Sequence, residues 1–343
     1  MKEMLLKGEA AEEILRNYFI NIGYYVVRGC KFRFDQFDVT DIDLWLYCKK
    51  SAVTRERINV DIKNKKTPQA LERIFWAKGL QSVLNFDDCV VATTDSRAAV
   101  TRFGMQHGVI VLDGAFLSRL MKSERGRQHR IVEETLMGEI DRDSLGKLGG
   151  DWRGRYETGK SRLLDSLTFD GCNAWLSDIG YFLENAAQDP SCTSSCWRLV
   201  YLFAANFLIG VDFTLAPHLS AGQQERRQIL EDGFRFGSAG KAYTDKIARL
   251  ASSLVASVVT NPGLRDSVQH ALHEQAMSVN ADLLADHLTK GSTTSTLFDL
   301  ALEFEASGFS CTIPRPTSLN VPAQSFLGVL ADFHGIDRKR ILI

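Results

Sequence analysis

Thr40-Asp41-Ile42-Asp43-Leu44-Trp45-Leu46-Tyr47 and Arg57-Ile58-Asn59-Val60-Asp61-Ile62-Lys63 are the two stretches on which the fold turns. Both alternate strictly. In the first, Ile42, Leu44 and Leu46 face one way while Asp41, Asp43, Trp45 and Tyr47 face the other. In the second, Ile58, Val60 and Ile62 oppose Asn59, Asp61 and Lys63. A period of two over this length predicts strands with distinct faces. The polar stretch 48–56 between them makes a plausible hairpin loop. Working outward, Ala11, Ile14, Leu15, Tyr18, Phe19 and Ile22 recur at the helical period over 8–22, and Gly23 follows as a stop. Residues 24–27 read as a short strand. Downstream come a helix over 69–84, a buried strand over 89–93, a helix over 96–107 and a strand over 109–112. The order α-β-β-β-α-β-α-β predicts an α/β domain, one mixed central sheet flanked by helices.

The polar faces of the two strands carry chemistry. Same-face residues on neighbouring antiparallel strands come within about 5–8 Å of each other. Asp43 and Asp61 are therefore expected to share one hard divalent cation, Mg2+ or Mn2+, which prefers carboxylate oxygens and retains waters. Lys63 points to the same side as Asp61 and can reach the same water or phosphate. Two carboxylates and an ammonium converging suit hydrolysis of a phosphodiester. Glu12, on the first helix, is the expected third carboxylate. Glu9 and Glu13 are its rivals; Glu13 falls opposite the apolar stripe and is expected to be solvated. Asp41 competes with Asp43, which is preferred because the apolar strand continues directly from it.

Gly8-x-x-x-Glu12, then Thr40-Asp41-Ile42-Asp43 opening a strand, then Asp61-Ile62-Lys63 ending the next, resembles the PD-(D/E)xK nuclease superfamily, with its restriction-endonuclease-like fold. Within it the chain looks most like the bacterial restriction-endonuclease-like and Holliday-junction-resolvase-like branch. The resemblance covers roughly residues 5–115. It implies that Asp43 and Asp61 are metal ligands, Lys63 the catalytic lysine, Glu12 the helix-borne acid and the Ile62 carbonyl a further ligand. Asp61 stands where Glu is commoner, and no Pro precedes the first Asp. The implied activity is that of a metal-dependent endonuclease acting on DNA, of the kind serving restriction or anti-phage defence in bacteria. The competing class is an inactive nuclease-fold protein that binds nucleic acid or assembles with a partner.

Charge and composition frame these readings. The chain has 343 residues, 24% of them charged, and a formal net charge of −1, which excludes a uniformly basic nucleic-acid coat. Locally, residues 49–78 hold nine Lys/Arg against three Asp/Glu. That excess of six suits a polyanion beside the site, with Lys65, Lys66, Arg73 and Lys78 as the expected contacts. A second basic cluster comprises Arg119, Lys122, Arg125, Arg127 and Arg130. Seven cysteines in scattered positions do not form a disulfide framework and predict a reducing, cytoplasmic setting. Residues 196–216 are apolar but carry Arg198, Asn206 and Asp212, so a buried helix is expected and no membrane.

The predicted organisation is a nuclease domain over 1–122, a linker zone over 123–155 and a helical domain over 156–343 that regulates, self-associates or binds a protein partner. Helices are expected over 161–167, 173–186, 197–209, 223–233, 243–259, 264–287 and 324–334. Gly154-Arg-Tyr-Glu-Thr-Gly159-Lys160-Ser161 has the spacing of a phosphate-binding loop, but no buried strand precedes it. Lys160 is accordingly expected to be dispensable for stability. Cys192-x-x-x-Cys196 lacks a second ligand pair at zinc spacing.

Overall fold

A computed structural model of the chain describes all residues except 1–6, 36, 66–68, 124–129, 145–149, 189–193, 259–263 and 343. It divides into two compact units, Met1–Asp165 with Phe309–Thr312, and Ser166–Gly308 with Ile313–Ile343.

The first unit is built on a five-stranded sheet, β1 (Tyr25–Phe34), β2 (Phe37–Lys49), β3 (Arg55–Lys63), β4 (Asp88–Thr93) and β5 (Ile110–Leu112), in that spatial order. β1, β2 and β3 are antiparallel neighbours, and β4 and β5 continue parallel to β3. Helix α1 (Lys7–Asn21) precedes them, and α2 (Ala70–Val83), α3 (Ala98–Gln106) and α4 (Gly114–Lys122) follow in the second half. The alternation in β2 and β3 distributes them over two faces. Leu44, Leu46, Ile58, Val60 and Ile62 pack with Ala11, Leu15 and Phe19 of α1 and Leu117 of α4. On the other face, Ala70, Ile74 and Ala77 of α2 and Val100 of α3 pack on Cys89 and Val91. Gly23 stops α1 at φ +98°, where a side chain would be strained.

β1 and β2 run on together to the pair Phe34–Phe37, whereas β2 pairs with β3 only as far as Leu44–Val60. The β1–β2 hairpin therefore projects past the end of β3. β1 is longer than the expected 24–27 because its outer half is partly exposed, which leaves little burial pattern.

The boundary expected at residue 122, with a linker over 123–155, is corrected. α5 (Glu133–Ser144) and α6 (Trp152–Asp165) belong to the first unit. Trp152, Tyr156, Leu163 and Leu164 of α6 are buried, as are Leu136 and Ile140 of α5.

The second unit is helical: α7 (Phe169–Gln188), α8 (Ser194–Leu215), α9 (Gln223–Phe236), α10 (Gly240–Val258), α11 (Leu264–Met277), α12 (Ala281–Leu288), α13 (Gly291–Gly308) and α14 (Val321–Phe333). The helix expected over 264–287 is two, separated by Ser278, Val279 and Asn280, whose Nδ2 donates to the Phe333 carbonyl at 3.1 Å. α13 was not expected. Among the described residues one helical stretch, Ser194–His218, is long and apolar enough to cross a membrane, and 83% of its most apolar window is buried inside the protein. Arg198 there donates to the Gly308 carbonyl at 2.8 Å, and the Tyr201 hydroxyl to the Pro314 carbonyl at 2.8 Å.

His334, after α14, lies against Gly180 of α7, where an added methyl group would meet its ring at 2.6 Å. Burial holds its imidazole down to about 4. The folded protein thus keeps it neutral while the unfolded chain protonates near 6.5. Between those values the unfolded state binds more protons, so stability falls as pH drops from about 6.5 to 4. Urea unfolding at pH 7 and pH 5 should show this loss, and His334→Asn should reduce the difference between the two.

Candidate functional site

The site forms where β2 and β3 part. One step beyond the Leu44–Val60 pair, Asp43 Oδ2 accepts the Ile62 N–H at 2.6 Å. A side chain thus satisfies a donor that a straight ladder would have paired with backbone. Asp61 is buried beside it, and Lys63, half-buried, follows two residues on the same side as Asp61. β3 remains anchored by β4, with which it pairs as far as Lys63–Thr93.

Burial pushes the Asp43 carboxyl up to about 6, and the negative charge of Glu12 adds to the rise; the Ile62 N–H, Lys63 and Arg73 oppose it. An acid so displaced is one that gains from a cation. Asp61 is differently placed. Arg73 of α2 grips it with two hydrogen bonds, Nε to Oδ2 at 2.7 Å and Nη2 to Oδ1. Arg73, expected to meet nucleic acid, is therefore spent on a carboxylate.

These residues suit a hard cation only in part. Two carboxylates are enough for Mg2+, which keeps several waters. Arg73, however, occupies one lone pair on each Asp61 oxygen, and a cation must use the others or displace it. Among the described residues no group of three or more His, Cys, Asp or Glu gathers in the manner of a metal cluster. Glu12 is drawn elsewhere, its Oε2 taking the Arg28 Nε at 2.6 Å. Ile62 enters through its N–H. Asp41, the rival of Asp43, is exposed and lies opposite Lys31.

Glu13, expected to be solvated, is buried at 5% exposure. It accepts from Arg28 Nη1 at 3.0 Å, while Arg28 Nη2 pairs with Glu134 at 2.7 Å. Arg16 reaches Glu13 and Glu133, both at 3.4 Å, and stacks over the Phe309 ring at 3.9 Å. Charged partners from β1 and α5 thus cover a second side of α1. An apolar periodicity cannot reveal that side, and no local spacing signals it.

The phosphate-loop look-alike closes this network. Gly154 to Ser161 lie inside α6, with no loop at all. Lys160 is buried, paired with Glu133 at 2.7 Å and donating to the Arg28 carbonyl at 3.1 Å. Burial alone would raise the Glu133 carboxyl, but Lys160, Arg16 and Arg28 together hold it below the usual range. The expectation that Lys160 is dispensable for stability is corrected by this burial.

Of the expected nucleic-acid contacts, Lys65 is exposed and its carbonyl accepts the Thr94 hydroxyl at 2.5 Å. Lys66 lies outside the described residues. Lys78 is exposed, donating to Gln81 Oε1 at 2.7 Å. It lies about 12 Å along α2 from its first residue, away from the Asp43 end. Arg119 and Lys122 are exposed at the end of α4; Arg125, Arg127 and Cys192 fall outside the described residues. Cys196 is a buried free thiol whose Sγ donates to the Phe182 carbonyl at 3.3 Å.

The buried carboxylates of Asp43 and Glu133 should answer oppositely to loss of charge. Asp43→Asn keeps an acceptor for the Ile62 N–H and removes a buried charge, so at pH 7 it should raise the melting temperature of the cation-free protein. Because the folded carboxyl titrates near 6 and the unfolded one near 4, the gain should shrink as pH falls through that window and vanish below it. Lys160→Met should destabilise by leaving buried Glu133 with the longer ion pair to Arg16, by up to about 3 kcal/mol, and the double variant with Glu133→Gln should recover part of it. Chemical denaturation of the three proteins measures both effects; an unchanged single variant would contradict the network. In comparison with known proteins, no family model, curated protein or solved structure matches this chain.

Proposed function

We propose that the first unit is a metal-dependent phosphodiesterase of restriction-endonuclease-like fold that cuts nucleic acid, DNA in the first instance. The observation that carries the reading is the Asp43 carboxylate held by the Ile62 N–H where β2 and β3 part, next in the chain to Asp61, with Lys63 on the same side as Asp61. The α-β-β-β-α-β-α-β order of the mixed sheet supports it.

Asp43 and Asp61 would hold Mg2+ or Mn2+, with the Ile62 carbonyl as a further donor; Glu12 would join them only on leaving Arg28. Such an ion, when bound, polarises a phosphoryl oxygen and acidifies a water. Asp43 is suited to holding it, because with its carboxyl near 6 it is ionised at neutral pH and under-solvated. Lys63 orients the attacking water or meets charge developing on the phosphate. Arg73 keeps Asp61 in position and neutral in sum while no cation is there. Lys65 supplies positive potential at the same end. The helical unit has the role of regulator, self-association surface or docking site for a protein partner. A cytoplasmic place in restriction or anti-phage defence goes with this proposal.

One observation favours a second reading. Arg73 satisfies both Asp61 oxygens, as in a nuclease fold that has turned to binding or assembly alone. Digestion of plasmid and single-stranded DNA with Mg2+ or Mn2+ separates the two. The full chain should cut with cation and not with EDTA, and more weakly as salt rises from about 50 to 200 mM. Asp61→Asn and Lys63→Ala should each lose at least a hundredfold with unchanged circular dichroism. No cutting with either cation would favour the second reading.

A further inference from the structure

We infer that the outer face of α2 and α3 binds an unpaired nucleic-acid strand through base stacking, so that the preferred substrate is single-stranded or locally unpaired. Trp76 is 43% exposed and Phe75 is 62% exposed, large rings left in water beside the proposed site. Their connection to it is direct. The Arg73 guanidinium that grips Asp61 also lies 5.6 Å from the centre of the Trp76 ring. A second aromatic group stands on the same two helices. Phe75 packs edge-on against Phe103 at 5.6 Å, and Phe103 lies 4.4 Å from the His107 ring.

Exposed cations stand on the same two helices, Lys78 on α2 and Arg102 on α3. Rings for bases with cations for phosphates is the composition that single-strand grooves use, because every base has a face to stack. A duplex has its base faces already covered, so an exposed indole offers it little. An apolar protein surface would have to bury Lys78 and Arg102 without a countercharge, which is costly. Charge and ring chemistry therefore point to the same occupant. The track begins at the Asp61–Arg73 pair, and a strand lying on it would lead its backbone toward Lys63.

The inference rests on the phosphodiesterase reading for its place in the reaction, but its test is binding and needs no cleavage. Fluorescence anisotropy of the full chain in EDTA would compare a labelled oligothymidylate with the duplex it forms with oligodeoxyadenylate. The single strand should bind at least tenfold more tightly. Trp76→Ala should weaken single-strand binding about tenfold while Trp76→Phe retains most of it, and duplex binding should be unmoved by both. Trp76 is exposed, so both variants should melt with the parent. Equal affinity for strand and duplex, or a Trp76→Ala protein that binds as the parent does, would overturn the inference. If strand preference appears but no cation yields cutting, the phosphodiesterase reading fails and the stacking surface stands. If cutting occurs equally on both DNA forms with equal binding, the reverse holds.

Discussion

Past Leu44 and Val60 the β2–β3 ladder ends, and the hydrogen bond from the Ile62 N–H to Asp43 Oδ2 takes its place. Much of the first unit follows from that one substitution. β3 can keep pairing with β4 while β2 leaves with β1 as a free hairpin. The gap opened between them is where two acidic side chains can face the same space without a strand between. An extra backbone pair at this point would close the gap. An apolar residue at position 43 would leave the Ile62 donor unmet.

The β1 side of this arrangement is held by charge. Arg28 and Lys160 on one side and Glu12, Glu13, Glu133 and Glu134 on the other tie α1, β1, α5 and α6 together with little water. Buried ion pairs give little net stability relative to apolar packing, but breaking one is expensive. Their consequence here is specific. α5 and α6 dock on the sheet unit through these partners: Glu133 of α5 reaches Arg16 of α1, and Lys160 of α6 donates to the Arg28 carbonyl of β1. The same geometry draws Glu12 toward Arg28, so the helix acid stands at the edge of the site and acts on Asp43 through its field.

The parts of this structure that sequence could foretell are those whose two faces differ in chemistry. In β2 the aliphatic Leu44 and Leu46 pack under α1 while Trp45 and Tyr47, buried on the other face, alternate with them, and the strand was readable for that reason. That Asp43 and Asp61 belong to the same face of neighbouring strands followed from the same period. What escaped was burial by charge. Glu13 and Arg16 look like solvent residues until a partner from residue 28 or 133 arrives. α5 offers only Leu136 and Ile140 as apolar contacts, so its docking was invisible and the stretch resembled a linker. The grip of Arg73 on Asp61, twelve residues apart and across a loop, has no local signature either.

On the proposed reading Asp61 has rival partners, and the rivalry couples two binding events. A cation approaching Asp61 meets Arg73 already bonded to both oxygens, so its gain is reduced by whatever that pair contributes. Arg73 needs another anion before it can leave without loss, and a nucleic-acid phosphate accepts a guanidinium in the same forked geometry as a carboxylate. A strand stacked on Trp76 would bring such a phosphate to the side chain that already spans Asp61 and the indole. Substrate would thus free the carboxylate that the cation requires. By linkage the cation must then tighten substrate binding by the same factor, which makes Arg73 the element through which the stacking face and the carboxylates act as one site.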